Sequence, residues 1–221
     1  MAGFTTGGGT RASGSVTPRP TYDQQAGPAV ASTVAPLPAV YGTGPCPMAD
    51  GSSLPTRQFS EAFAECIEAG KQYSAVIVTS EGEFKIQLNA RGAPVAVNNF
   101  VALARFHYFD DTPCPAIYAN LAAVCGVGDT QKGPGYTIAD DVETPGESLP
   151  AGAVAVLRNG PGLGGSAFFV LVGKAKPEGP HTVFGKVVGG QATLTTISAL
   201  GSDDGRSTEP VSIVSVTITE S

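Results

Sequence analysis

From Tyr73 onward the chain alternates apolar and polar positions with the period of two that a half-buried strand requires. Ala75, Ile77 and Thr79 interleave with Val76 and Val78, Glu81-Gly82 turns the chain, and Phe84-Lys85-Ile86-Gln87-Leu88 runs back. This is the pattern of a β-hairpin. The period then changes. Pro94 sits where a helix tolerates proline, at its first position, and Val97, Phe100, Val101 and Ala104 follow at helical spacing as one apolar stripe. Asp110-Asp111 ends this segment in a turn. Short strands are predicted near 112–118, 122–127, 153–158, 167–172, 182–188 and 211–218. A second helix is predicted near 191–199, and a glycine loop, GPGLGG, spans 160–165. About eight short strands with two helices point to a mainly β, closed barrel over residues 73–221.

The first 72 residues follow different rules. Residues 1–44 are a low-complexity arm of Gly, Thr, Pro, Ser and Ala, with Phe4, Tyr22 and Tyr41 as isolated anchors. Such a segment cannot bury enough surface to fold alone. Its composition fits a disordered tail or linker, or an extended arm that orders against neighbouring subunits. We adopt the second, since ~44 residues extended reach on the order of 150 Å. Residues 45–72 read as an N-terminal collar. Within it Ser60 precedes Phe63, Cys66 and Ile67 at i, i+3, i+4, and Gly70 follows, which predicts a short helix.

Charge removes several function classes. Only 14% of residues are charged and the net charge is −6, so nothing is present to neutralise a row of phosphates, and nucleic acid is not an expected partner. No apolar run approaches the ~18 residues of a membrane span. The N-terminal MAGFTTGGGTRASG has no apolar stretch of signal-peptide type. Taken from Met1, this leads us to expect a chain in the cytoplasm, or in a particle assembled there.

The candidate chemistry is sparse. Cys46, Cys66, Cys114 and Cys125 include no Cys-x-x-Cys pair, and His107 and His181 lie far from them, so neither zinc nor another metal is expected. The even count permits disulfides Cys46–Cys66, stapling the collar, and Cys114–Cys125, bridging two neighbouring strands. Reduced thiols are the equal alternative if the chain is intracellular. Asp140-Asp141 and Asp203-Asp204 are read as solvated turn acids rather than a calcium site. No Lys-Ser/Thr follows GPGLGG to make a phosphate loop, so no nucleotide or other cofactor is expected.

A resemblance rests on motifs in order along the chain. These are Gly82 to Leu88, Pro94-Val95-Ala96-Val97-Asn98-Asn99-Phe100, Tyr108-Phe109-Asp110, Gly128-Asp129, Gly133-Pro134-Gly135-Tyr136, Gly165-Ser166-Ala167-Phe168-Phe169 and Val183-Phe184-Gly185-Lys186-Val187. Together they resemble the cyclophilin-type peptidyl-prolyl isomerases over residues 73–221. Residues 45–71 resemble an extension of some bacterial members. The resemblance implies an eight-stranded antiparallel barrel capped by two helices. It also implies an arginine that hydrogen-bonds the prolyl unit as its amide loses planarity, glutamines that orient the peptide, and an apolar pocket for the proline ring.

This chain departs from the pattern where that chemistry would sit. The family's Phe-His-Arg falls on Cys114-Pro115-Ala116, the glutamine before Gly-Gly-Asp falls on Gly126, and the glutamine of Gly-Ser-Gln-Phe-Phe falls on Ala167. The strand end reads Val156-Leu157-Arg158-Asn159-Gly160-Pro161. Phe169 and His181 remain as a residual pocket, although Phe169 also fits a core position and His181 a solvated loop. Arg158 is read as a strand-end residue rather than a substitute donor. Ala116, Ala122, Ala123 and Ala167 smooth the groove into a face suited to burial against a partner. The expected function is therefore a catalytically inactive cyclophilin-like subunit of a larger protein assembly, joined through residues 1–44 and the remodelled groove. The alternatives are a weak or specialised isomerase using His181, and a module that binds proline peptides without turnover.

Overall fold

The computed structural model describes residues 39–128, 133–141, 148–160, 163–176 and 181–221, without the side chains of residues 159, 160 and 163. The arm expected over 1–44 thus lies outside the described residues up to position 38. The core element is a hairpin, β1 (Tyr73–Thr79) and β2 (Gly82–Leu88), whose alternation buries Tyr73, Ala75 and Ile77 opposite Phe84, Ile86 and Leu88. Helix α1 (Pro94–Arg105) follows. Next come β3 (Thr112–Pro113), β4 (Ala116–Tyr118), β5 (Ala122–Cys125), β6 (Ile138–Ala139), β7 (Ala153–Gly160), β8 (Leu163–Leu171), β9 (Val183–Gly189), helix α2 (Gln191–Ala199) and β10 (Ser212–Glu220). One curled antiparallel sheet runs in the order β3-β10-β1-β2-β9-β7-β8-β5-β4, with β6 added to β8.

Among the described residues ten strands stand where eight were predicted, for two local reasons. The run at 112–118 breaks in two at Pro115, which has no amide to donate; before the break, Cys114 N–H bonds Val211 C=O at 2.8 Å, and after it β4 pairs with β5 instead. β6 is a two-residue addition too short to show in a periodicity. Gly160 and residues 163–165 of the glycine segment lie in strands, since β7 runs to Gly160 and β8 starts at Leu163, with Arg158 opposite Gly164. Both disulfides form, Cys46–Cys66 and Cys114–Cys125.

Helix α1 is buried on every side, not along one stripe. Its far face carries Asn98, Asn99 and Arg105, and each has a partner. Asn98 Oδ1 accepts the amides of Cys66 and Ile67 at 2.6 and 3.1 Å, while its Nδ2 donates to Ala64 C=O. Asn99 donates to Gly165 C=O and accepts from the Tyr136 hydroxyl at 2.6 Å. Arg105 pairs with Glu220 at 2.7 Å, holding that carboxyl below its usual range, with Lys71 contributing further.

These bonds explain why the collar contains no helix. The spacing of Phe63, Cys66 and Ile67 is real, but it serves packing of Phe63 and Ile67 into the core. Donors that a helix would use internally go elsewhere: Ala64 N–H to Gly44 C=O, Cys66 and Ile67 to Asn98, and Glu68 to the Tyr73 hydroxyl. Tertiary acceptors outcompete a weak local propensity. Phe59 and Phe63 then pack with Phe106 and Tyr136, closing the collar onto the end of α1.

Arg57 binds the chain just past α1, where helix carbonyls lack partners. Its guanidinium donates to the carbonyls of His107 at 2.7 Å, Tyr108, and Asp110 at 2.6 Å. His107 itself adopts φ +55° and bridges Asp110 Oδ2 at 2.8 Å and Gly51 C=O at 2.9 Å.

Asp140 and Asp141 are not the solvated acids the sequence suggested. Asp141 is buried, and its two oxygens accept the Val95 and Ala96 amides at 2.7 and 2.8 Å. It caps α1 from another part of the chain, a task no residue near Ala93 performs. Burial pushes its carboxyl above the usual range and the two amide bonds pull it partly back. Asp203 and Asp204 are exposed, and Asp204 holds Ser202 at 2.6 Å.

Two predictions follow from these anchors. Asp141→Ala leaves two buried amides without an acceptor and should cost about 1–2 kcal/mol, a fall in melting temperature of roughly 2–8 °C for a domain of this size. An unchanged melting curve would show that the cap is dispensable. His107 has two acceptors for its two ring nitrogens, so only the imidazolium satisfies both. The Asp110 hydrogen bond, then the Gly51 carbonyl, raise its pKa above the ordinary 6.5. Its stabilising contribution is complete below that value and is lost as pH rises through the higher folded-state value. The melting-temperature gap between the wild type and His107→Gln should therefore be widest in acid and narrow toward alkaline pH. A gap that widens with pH contradicts this assignment.

Candidate functional site

Pairing register places the positions of interest on one face. Ala116 of β4 lies opposite Val124 of β5, Val124 opposite Phe169 of β8, Phe169 opposite Ala155 of β7, and Ala155 opposite Val183 of β9. Directly paired residues share a face, so this is a continuous row across five strands. A second row, Tyr118–Ala122–Leu171, runs beside it. Leu149, bridged to Ala175 through paired main-chain bonds of 2.7 and 3.1 Å, packs against the same apolar cluster. The intervening residues Ile117, Ala123, Cys125, Phe168 and Val170 point into the main core. Ala123 thus belongs to the core and not to the groove, because a strand inverts its side chains at each step.

The structure brings Phe169 and His181 together, with ring centroids 5.3 Å apart and edge to face. Phe169 is 6% exposed and His181 is partly exposed. Pro115 is exposed at the bend before β4, Ala116 follows it half-buried, and Ala167 is buried near the start of the Phe169 strand. Gly126 has φ +79°, and a Cβ built there would meet Ser166 O at 2.6 Å and the Phe168 ring at 2.7 Å. No side chain fits at that position without displacing the core beneath it.

Four of the described arginines are engaged elsewhere. The Arg158 guanidinium binds the Asp140 carboxylate, which also accepts from Thr182 Oγ1 at 3.2 Å. The pair is largely buried, with 12% and 7% of the two side chains exposed. Arg57 and Arg105 hold the collar and β10, and Arg206 pairs with Asp204. Sequence reading missed the Asp140–Arg158–Thr182 group because its members are separated in the chain and follow no local spacing. Leu149 was missed for the same reason. Among the described residues, no cluster of three or more His, Cys, Asp or Glu gathers in metal-binding proximity, and no helix is long and apolar enough to cross a membrane.

The middle of the row is covered, with Ala155 0% and Phe169 6% exposed, and only Ala116, Val124 and Val183 of it are half-buried. Supporting hydrogen bonds lie beneath it. Tyr108 and Ser166 hydroxyls are 3.0 Å apart, and the Asn99–Gly165 bond fixes the start of the segment that carries Ala167.

Comparison with known proteins places this architecture. Residues 74–218 match the family described as "Cyclophilin type peptidyl-prolyl cis-trans isomerase/CLD". "Peptidyl-prolyl cis-trans isomerase-like 3" of Gibberella zeae is 31% identical over 159 residues, 66% of this chain and 95% of that protein. "Peptidyl-prolyl cis-trans isomerase A" of Mycobacterium tuberculosis is 31% identical over 166 residues, 66% of this chain and 91% of its own length. The crystal structure of a cyclophilin-type peptidyl-prolyl cis-trans isomerase from Cryptosporidium parvum superposes with a TM-score of 0.59 at 22% identity, covering 67% of this chain and 98% of that one. That last likeness is one of fold. By its sequence match across the whole sheet and both helices, the chain belongs to the cyclophilin-type peptidyl-prolyl cis-trans isomerase family.

Proposed function

We propose that this chain is a cyclophilin-fold binding protein with little isomerase activity, serving as a subunit of a protein assembly. The observation that carries the reading is the row Ala116–Val124–Phe169–Ala155–Val183, which offers no side-chain donor to a twisting prolyl amide. Rotation about that bond faces a barrier of ~20 kcal/mol. Preorganised donors are the means by which enzymes of this kind lower such a barrier, and removing one typically costs ~10²–10³ in rate. Ala116, Gly126 and Ala167 stand at the arginine and both glutamine positions, so the losses compound. The half-buried apolar side chains of the row, Ala116, Val124 and Val183, are ones that a partner can cover without desolvating a polar side chain. In this reading the partner binds through residues 1–44 together with the remodelled groove.

A second reading, a weak or specialised isomerase, is favoured by the Phe169–His181 contact and by relatives that are named isomerases. A protease-coupled assay on an alanyl-prolyl peptide separates the two. The wild type should run within about tenfold of the uncatalysed rate, and Ala116→Arg, which returns a guanidinium beside Val124, should raise it by roughly tenfold or more. A slow rate abolished by His181→Ala supports the second reading. Turnover at the level of an ordinary cyclophilin ends the first.

A further inference from the structure

The two disulfides sit in different surroundings. Cys114 and Cys125 are each 6% exposed, inside the main core. Cys46 is exposed and Cys66 only half-buried. Cys46–Cys66 ties residues 39–48, the entry to the collar, onto a segment 20 residues later in the chain. Besides the disulfide, this strap is held by the main-chain bonds Gly42 N–H to Phe63 C=O at 2.8 Å, Gly44 N–H to Ala62 C=O at 2.9 Å and Ala64 N–H to Gly44 C=O at 2.8 Å. The Thr43 hydroxyl adds a bond to Glu61. Of the strap's large side chains, Tyr41 packs half-buried against the core, while Val40 is 67% exposed and Met48 60%.

The strap also divides space. Tyr41 lines a cleft of about 540 Å³ with Glu65, Ile67, Lys71 and Arg91, and a second of about 160 Å³ with Val95, Asn98 and Ile138. Tyr41 is common to the linings of both. Burial, then the neighbouring Glu65 carboxylate, push its phenol up to about 12, so it is a neutral partition at ordinary pH.

We propose that Cys46–Cys66 is a redox-labile tether: its reduction frees residues 39–48 and joins the two clefts along the N-terminal half of α1, while Cys114–Cys125 and the sheet stay intact. A dithiol is the co-reactant. Its thiolate attacks Cys46 Sγ, the accessible sulfur, and Cys66 leaves as a thiolate and takes a proton. The reductant's second thiolate then attacks the mixed disulfide, releasing Cys46 as a thiol and leaving the reductant as a cyclic disulfide, with two electrons transferred. The strap is closed where disulfides persist and open where the thiol pool is reducing.

The test uses the full chain in native buffer, titrated with dithiothreitol, alkylated and mapped by mass spectrometry. Cys46 and Cys66 should label at a reductant concentration at least about tenfold below that needed for Cys114 and Cys125, as their exposure dictates. Amide exchange at Gly42, Gly44 and Ala64 should rise by about tenfold or more in step, while Ile77 and Val216 hold their protection. The double variant Cys46→Ser/Cys66→Ser should show the same exchange pattern without reductant. Simultaneous reduction of both disulfides overturns the proposal. So does a variant whose strap amides stay protected, or one whose sheet unfolds with the strap.

Discussion

The edges of the sheet meet at a seam two residues long. β3 and β4 are the two ends of the strand order, yet only Cys114 and Pro115 separate them in the chain. The curl is therefore closed by a covalent link where hydrogen bonds stop. Pro115 cannot extend a ladder, and Cys114 is fixed twice, through its amide to Val211 and its sulfur to Cys125. A disulfide spanning 11 residues removes loop freedom from the unfolded chain, worth about 3 kcal/mol. The groove inherits this geometry. Ala116 is the first residue past the seam and Gly126 the first past the bonded Cys125, so two positions that would carry chemistry sit at the ends of the structural staple.

Polar capacity in this fold goes to the scaffold. Asp141 closes the N-terminus of α1, Arg57 the turn beyond its C-terminus, Asn98 the collar, and Glu220 neutralises the buried Arg105. A buried charge lacking its partner is strongly destabilising. These groups are consequently not available for rearrangement toward a ligand. Arg158 illustrates this: it lies at the end of the strand that carries Ala155, and Asp140 engages it. The row through Phe169 and Ala155, by contrast, is built of apolar side chains packed as a second buried cluster.

Much of this was legible in the chain because it is local. The β1–β2 hairpin follows from alternation and a turn at Gly82, α1 from Pro94 and its period, and the family from motifs in sequence order. What was not legible depends on partners distant in the chain. The collar's helical spacing was outvoted by Asn98 and Tyr73, both from elsewhere in the chain. Asp141 reads as a turn acid until α1 arrives above it. The break at Pro115 was visible in principle, since a proline inside a predicted strand argues for an edge or an interruption. Ala123 was misplaced by grouping alanines by composition when strand parity separates Ala122 from Ala123.

Gly126 shows how a position expected to carry chemistry can be fixed by packing. A side chain there needs both a backbone outside the left-handed region and space now filled by Ser166 and the Phe168 ring. Phe168 is no loose neighbour; it stands edge-on to Phe100, Phe109 and Phe184 at the centre of the core. Moving it would open a void among those rings, at a cost of order 1–3 kcal/mol or more. Ala116 is different: it is half-buried on β4, opposite Val124, in a strand whose other edge bonds the main chain of Ser202 and Gly205. The two positions are therefore not equivalent: Ala116 is half-buried, whereas Gly126 is closed to any side chain by the Phe168 ring that fills the core, so that constraint and the packing of the core rest on the same contact.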